Sequence, residues 1–221
     1  MNFEEWEPLY LQIVRDFGYS VEEDRKSAEI LADLTAKQRR PVNVDLIMNS
    51  LIRGFRFIIL GPCPLDGMEI GEIRKRVKTG SYVLATVGEG TGNALRAGLA
   101  PRLTFTDLDG SPQDDIDANS RGAVVVIHAH GDNIVALNEW IPKFPGPVIP
   151  TCQCSPPSGI TNWGGFTDGD RAYCSLKHFG ASRIDLFGFD FRNPCGSKRV
   201  DIETKKKKLA WAEKIIGRFP V

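Results

Sequence analysis

Over the first fifty positions apolar residues recur every three or four, the period of a helix with one buried face. Trp6, Leu9, Tyr10, Ile13, Val14 and Phe17 form such a stripe, and Gly18 ends it. Ser20-Val21-Glu22-Glu23 has the spacing of a capping box. A second helix is therefore expected to run to about Lys37, with Ala28, Leu31, Ala32 and Leu34 on its apolar side. Asn43 suits the cap of a third, short helix carrying Leu46, Ile47 and Leu51. From Phe55 the texture changes to short, almost continuous apolar runs, over 55–60, 81–87, 103–105, 123–128, 147–150 and 184–188. These read as strands. Helices are expected between and after them, over 68–77, 93–98, 132–143, 168–179 and 203–218.

Strands that alternate with helices, and are too apolar to have a wet face, predict an α/β fold. Its sheet is mostly parallel, Rossmann-like, and covered by helices on both faces. The expected organisation is a helical N-terminal appendage, 1–54, packed on an α/β catalytic domain, 55–221. The appendage is expected to cover core surface rather than to take part in chemistry.

Sheets of this kind bind ligands beyond the carboxyl ends of their strands. Four polar runs follow strands here: Gly61-Pro62, Gly88-Glu89-Gly90-Thr91-Gly92, Asp107-Leu108-Asp109-Gly110 and His128-Ala129-His130-Gly131-Asp132-Asn133. All four should gather on one rim. Asp107 and Asp109 stand two apart, so an extended backbone would point both carboxylates to one side. Such a pair suits magnesium, which is commonly held by one or two carboxylates and completed by substrate phosphates. The same residues also read as turn chemistry, and the shared rim favours the metal reading.

The other runs carry less. Gly61-Pro62-Cys63-Pro64 follows a strand as a phosphate-contacting loop does, but lacks the Gly-Lys-Ser/Thr of a P-loop. Gly88, Gly90 and Gly92 precede a helix and would let backbone approach an anion. His128 and His130 could bond phosphate or take a proton from a hydroxyl, and Asp132 or Asn133 could cap the next helix. Thr167 or Asp168 reads as an N-cap, with Asp170 and Arg171 just inside, where a phosphate or polar heterocycle would also fit. Lys205-Lys206-Lys207-Lys208 reads as a solvated helix face.

Composition narrows the classes. The 221 residues are 42% hydrophobic, enough for a real core, and carry 28 basic and 28 acidic side chains. With pI near 6.8, nothing global argues for nucleic acid or a membrane surface. No apolar stretch approaches the ~18–20 residues of a membrane span, and Met1-Asn2-Phe3-Glu4-Glu5 lacks a leader pattern. A cytoplasmic protein is expected. Five cysteines, Cys63, Cys152, Cys154, Cys174 and Cys195, are odd in number and irregular in spacing. They read as unpaired thiols rather than a disulfide framework. Zinc held by Cys152, Cys154, His128 and His130 is a weaker reading, since the ligand spacing is poor.

The order of Gly61-Pro62, Gly98-Leu99-Ala100-Pro101, Thr106-Asp107-Leu108-Asp109-Gly110, His128-Ala129-His130-Gly131-Asp132-Asn133, Gly165-Phe166-Thr167-Asp168-Gly169-Asp170-Arg171-Ala172 and Phe187-Gly188-Phe189-Asp190-Phe191 resembles the archaeal 6-hydroxymethyl-7,8-dihydropterin diphosphokinase family. That family is related in fold to thiamine diphosphokinases. The resemblance covers roughly residues 55 to 217. It departs at Glu89, where members usually carry the aspartate of an Ala-Asp-Gly segment, and at Cys63-Pro64, where a serine-containing ending is usual.

The resemblance implies that the pterin's hydroxymethyl oxygen attacks the β-phosphorus of ATP and AMP leaves, in folate or methanopterin biosynthesis. By the same implication Asp107 and Asp109 hold magnesium. His128, His130, Gly131, Asp132 and Asn133 position phosphates and the attacking hydroxyl, Gly61, Pro62, Gly88 and Glu89 bind substrate, and Thr167, Asp168, Asp170 and Arg171 form the opposite wall. Whether the chain acts alone or as a homo-oligomer stays open. Two rival readings remain: a metal-dependent glycosyltransferase using Asp107-Leu108-Asp109, and a nucleotide-binding module without catalysis.

Overall fold

The computed structural model describes residues 1–38, 43–195 and 201–218. Among these, three helices come first: α1 Phe3–Phe17, α2 Val21–Gln38 and α3 Val44–Ile52. Their caps follow the sequence. Asn2 makes a capping box with Glu5, Ser20 Oγ accepts from the N–H of Glu23, and Asn43 accepts from that of Leu46. Then come β1 Arg56–Leu60, α4 Gly67–Lys78, β2 Val83–Val87, α5 Gly90–Arg96, β3 Leu103–Thr106, α6 Pro112–Ser120, β4 Val124–Ala129, α7 Ile134–Trp140, β5 Val148–Cys152, α8 Asp168–His178, β6 Arg183–Phe187 and α9 Ile202–Arg218. The helix expected over 132–143 is split, because Ile141–Lys143, which contains Pro142, tightens into a 3-10 turn.

The six strands form one parallel sheet in the order β5-β4-β3-β2-β1-β6. Alternation within each strand builds the two faces. Phe57 and Ile59 of β1 pack with Met48 and Ile52 of α3 and with Ala172 and Leu176 of α8. Ile58 and Leu60 turn the other way, onto Ile73 of α4 and Ala94 of α5. In β4, Val125 and Ile127 share a buried cluster with Trp6, Leu9 and Ile13 of α1 and Leu31 of α2. The N-terminal helices thus pack into the sheet's own core. Burying a side chain of this size contributes about 1.5–3 kcal/mol.

Because every strand runs the same way, all six carboxyl ends open on one rim. Among the described residues no helix is long and apolar enough to cross a membrane.

Candidate active site

A cavity of about 340 Å³ opens along that rim. Its walls take residues from the loops after β1 (Pro62, Cys63), β2 (Gly88, Glu89), β3 (Asp107, Asp109), β4 (His130, Gly131, Asp132) and β6 (Phe189, Asp190, Phe191). Thr167, Asp168, Asp170 and Arg171 line it from the start of α8. The rim predicted from four polar runs is therefore one cleft.

The two aspartates reach it by a turn, not an extended segment. β3 ends at Thr106, and Leu108 adopts φ 65°, a conformation that costs a non-glycine residue about 1–2 kcal/mol. The Leu108 side chain goes into the core beside α1 and its N–H bonds Thr106 Oγ1 at 3.0 Å. Asp107 and Asp109 are left on the cleft side. Asp107 Oδ1 accepts from the N–H of Asp109 at 3.2 Å, and Oδ2 faces His130 Nε2 at 3.4 Å. Burial opposes ionising Asp107, but its contacts with His130 and Asp109 outweigh burial and hold the carboxyl well below its usual range.

His130 Nδ1 pairs with the exposed carboxylate of Asp132. Burial works against an imidazolium here as well, yet Asp107 and Asp132 together raise its pKa to about 9. His130 is thus a charged bridge with a carboxylate at each nitrogen.

His128 is placed differently from its neighbour. It lies inside β4, is 3% exposed, and lines a small void behind the cleft rather than the cleft itself. Its Nδ1 meets Thr151 Oγ1 at 3.1 Å, and Nε2 has no hydrogen-bond partner among the described residues. Burial, with Arg171 and His130 nearby, keeps the ring neutral. Asn133 is also internal. Its Oδ1 accepts from the N–H of His130 and the hydroxyl of Ser27, and its Nδ2 donates to the carbonyls of Asp107 and His128. Asp170 closes a capping box with Thr167, so its buried carboxylate is spent on the helix start. Arg171, 6% exposed, donates to Asp168 Oδ1 at 2.8 Å.

The glycines after β2 divide. Gly88, at φ 49°, lines the cleft. Gly90 serves packing: a Cβ there would stand 2.3 Å from the Leu60 carbonyl oxygen. Gly61 likewise packs against Gly188, and Pro62 supplies the cleft surface. Glu89 lines the cleft between Gly88 and the start of α5.

Several cleft residues were not predicted. Tyr19 and Ser20 come from the connection between α1 and α2, and Glu23 and Asp24 from α2. Asp24 is 2% exposed and accepts from the N–H of Gly131, the hydroxyl of Tyr10 and the amide of Gln153, at 2.8, 2.7 and 2.8 Å. The helices expected only to cover core surface thus also hold the turn after β4. Aromatic faces line the cleft in two places: Phe189 and Phe191 after β6, and Phe166 with Tyr19, backed by Phe17 of the core cluster. Their clustering comes only from the fold.

The cysteine expectation is corrected. Cys63 and Cys195 form a disulfide between the loops after β1 and β6. Those strands are neighbours in the sheet, but the cysteines are 132 residues apart, so spacing carried no sign of the pair. Cys152, Cys154 and Cys174 are buried thiols, and Cys152 Sγ points to the Cys154 carbonyl. Among the described residues no three His, Cys, Asp or Glu side chains form a group able to hold a metal ion.

No protein-family model matches the chain. Three curated archaeal proteins, each named 6-hydroxymethyl-7,8-dihydropterin pyrophosphokinase, align over nearly the whole length. That of Pyrococcus furiosus is 37% identical over 225 residues, covering 98% of this chain and 93% of the relative. That of Methanothermobacter thermautotrophicus is 34% identical (98% and 94% covered). That of Methanocaldococcus jannaschii is 31% identical (98% and 95% covered).

Proposed function

The chain belongs to the 6-hydroxymethyl-7,8-dihydropterin pyrophosphokinase family, and from that premise we propose a specific reaction for its cleft. The hydroxymethyl oxygen of the pterin attacks the β-phosphorus of ATP, the bond to the α-phosphate oxygen breaks, AMP leaves, and the hydroxyl proton passes to solvent. The observation that carries this reading is the pair of carboxylates that line the cleft at the end of β3, Asp107 with Asp109 beside it. Two hard oxygen donors are an incomplete metal site by themselves, and substrate phosphates complete such sites. Magnesium held by Asp107 and Asp109 would supply charge neutralisation on the phosphate oxygens.

The remaining residues of the chain position and polarise. His130 keeps a positive charge beside Asp107 without needing a low pH. With a carboxylate at each nitrogen it is suited to orienting Asp107 and Asp132, not to taking the hydroxyl proton. Asn133 and His128 support that arrangement from behind. Gly88, Glu89 and Pro62 form the β1–β2 side of the substrate surface. Asp168, fixed by Arg171, adds to the cleft wall from a helix start locked by Thr167 and Asp170. The two aromatic groups offer flat apolar faces for the adenine and pterin rings. The product, an activated pterin diphosphate, suits a step in folate or methanopterin synthesis in the cytoplasm.

The test is product identity. The protein, ATP, magnesium and 6-hydroxymethyl-7,8-dihydropterin should give AMP and pterin diphosphate in equal amounts, and no AMP without the pterin. Formation of ADP would refute diphosphate transfer. Binding of a nucleotide sugar but not ATP would favour a glycosyltransferase, and ATP binding without turnover a non-catalytic module.

A further inference from the structure

The cleft is rich in carboxylates, and a triphosphate entering it needs cations besides a metal. Among the described residues that line it, the lysine and arginine side chains are Arg171, Lys205 and Lys208. Arg171 is buried and committed to Asp168. The two lysines come from α9, and the basic run that contains them splits by helical period. Lys205 and Lys208 are half-buried and share a cleft-facing stripe with Leu209 and Ala212, at i, i+3, i+4 and i+7. Lys206 and Lys207 lie off it: Lys206 pairs with Glu203 at 3.0 Å in solvent, and Lys207 sits over the Phe17 ring and donates to the Asp16 carbonyl. The solvated-face reading therefore fits only Lys206 and Lys207. Lys208 Nζ stands 5.9 and 5.8 Å from the ring centroids of Tyr19 and Phe166, the outer range of a cation–π contact. Neither ring locks the ammonium in place.

We propose that Lys205 and Lys208 are phosphate-binding residues, through which α9 brings a pair of ammonium groups to the nucleotide's phosphate chain. Each donates to non-bridging oxygens whose charge the cleft's carboxylates would otherwise repel. The proposal rests on reading the cleft as a site of diphosphate transfer from ATP.

The experiment measures magnesium–ATP binding by calorimetry without pterin, and then steady-state AMP release. Methionine retains most of the apolar stem. Lys205→Met and Lys208→Met should each weaken ATP roughly 10- to 100-fold, the range for a lost hydrogen bond to a charged group. The KM for pterin should stay within about twofold, as should every parameter of Lys206→Met, the effect expected of a surface change. Lys208→Arg should restore most of the ATP affinity. A merely structural role would instead lower the melting temperature and move both substrates alike. Folded Lys205→Met/Lys208→Met protein that binds ATP within about threefold of wild type, less than one such bond, overturns the proposal. Wild type that binds ATP but releases no AMP with pterin overturns the reading of the reaction, while the binding data still decide the lysines.

Discussion

The side-chain amide of Asn133 donates to the main-chain oxygen of Asp107 at 2.9 Å. Through the same side chain, the carbonyl of His128 and the N–H of His130 are also bound. One asparagine thus ties the turn after β3 to the turn after β4. The Asp107–His130 pair depends on both turns.

Asn133→Ala leaves those backbone groups without their partner in a place that is 4% exposed. A loss of about 2–4 kcal/mol in unfolding free energy is expected, more than one hydrogen bond contributes, because several buried groups are orphaned at once. Urea unfolding measures it. A change under about 0.5 kcal/mol, the range of an ordinary surface substitution, would show that the bracket is not needed.

Asp24 makes the corresponding tie from α2. Asp24→Ala strips the acceptor from Gly131, Tyr10 and Gln153 and is expected to cost about 3 kcal/mol. Tyr10→Phe removes one of these bonds and should cost about 1 kcal/mol. Because Gly131 sits between His130 and Asp132, kcat should also fall in Asp24→Ala under conditions where the protein is fully folded. Full activity with lowered stability would confine Asp24 to packing.

Much of this was legible in the chain and some was not. Apolar runs such as Ala123–His128 announced buried parallel strands, and strand-end position alone brought Asp107, Asp109 and His130 to one cleft. Helix α6 went unpredicted because Pro112–Ser120 is mostly polar, with Ile116 and Ala118 its apolar side chains. His128 and His130 were both expected to reach substrate, but β4 ends at Ala129 and of the two only His130 lines the cleft. Asp24 read as one more helical carboxylate, since its partners are 107 and 129 residues away. The same distance in sequence hid Cys63–Cys195. The split of Lys205–Lys208 was in principle readable from Leu209 and Ala212, which continue one stripe.

Asp115 gives a pH signature of its own. It is 2% exposed, and burial raises its pKa from 3.8 to about 8, although hydrogen bonds with Thr106 and Thr91 pull the other way. A carboxyl whose pKa is raised on folding contributes stability that is full below its unfolded pKa and lost as pH rises through its folded one. Wild type should therefore lose stability between about pH 4 and pH 8, relative to Asp115→Asn. Thermal unfolding of both proteins across that window checks this. A constant difference between them would mean that Asp115 does not titrate there.

In the proposed reaction, Asp107 brings metal-bound ATP to the pterin in this cleft. This is tested most directly by AMP release from ATP and 6-hydroxymethyl-7,8-dihydropterin as magnesium is titrated, in wild type and Asp107→Asn. Wild type should release AMP only with magnesium. Folded Asp107→Asn should be slower by roughly 100-fold or more, the scale for losing one electrostatic stabiliser of a transition state. Near-normal, magnesium-dependent AMP release from Asp107→Asn would show that Asp107 does not hold the metal-bound ATP.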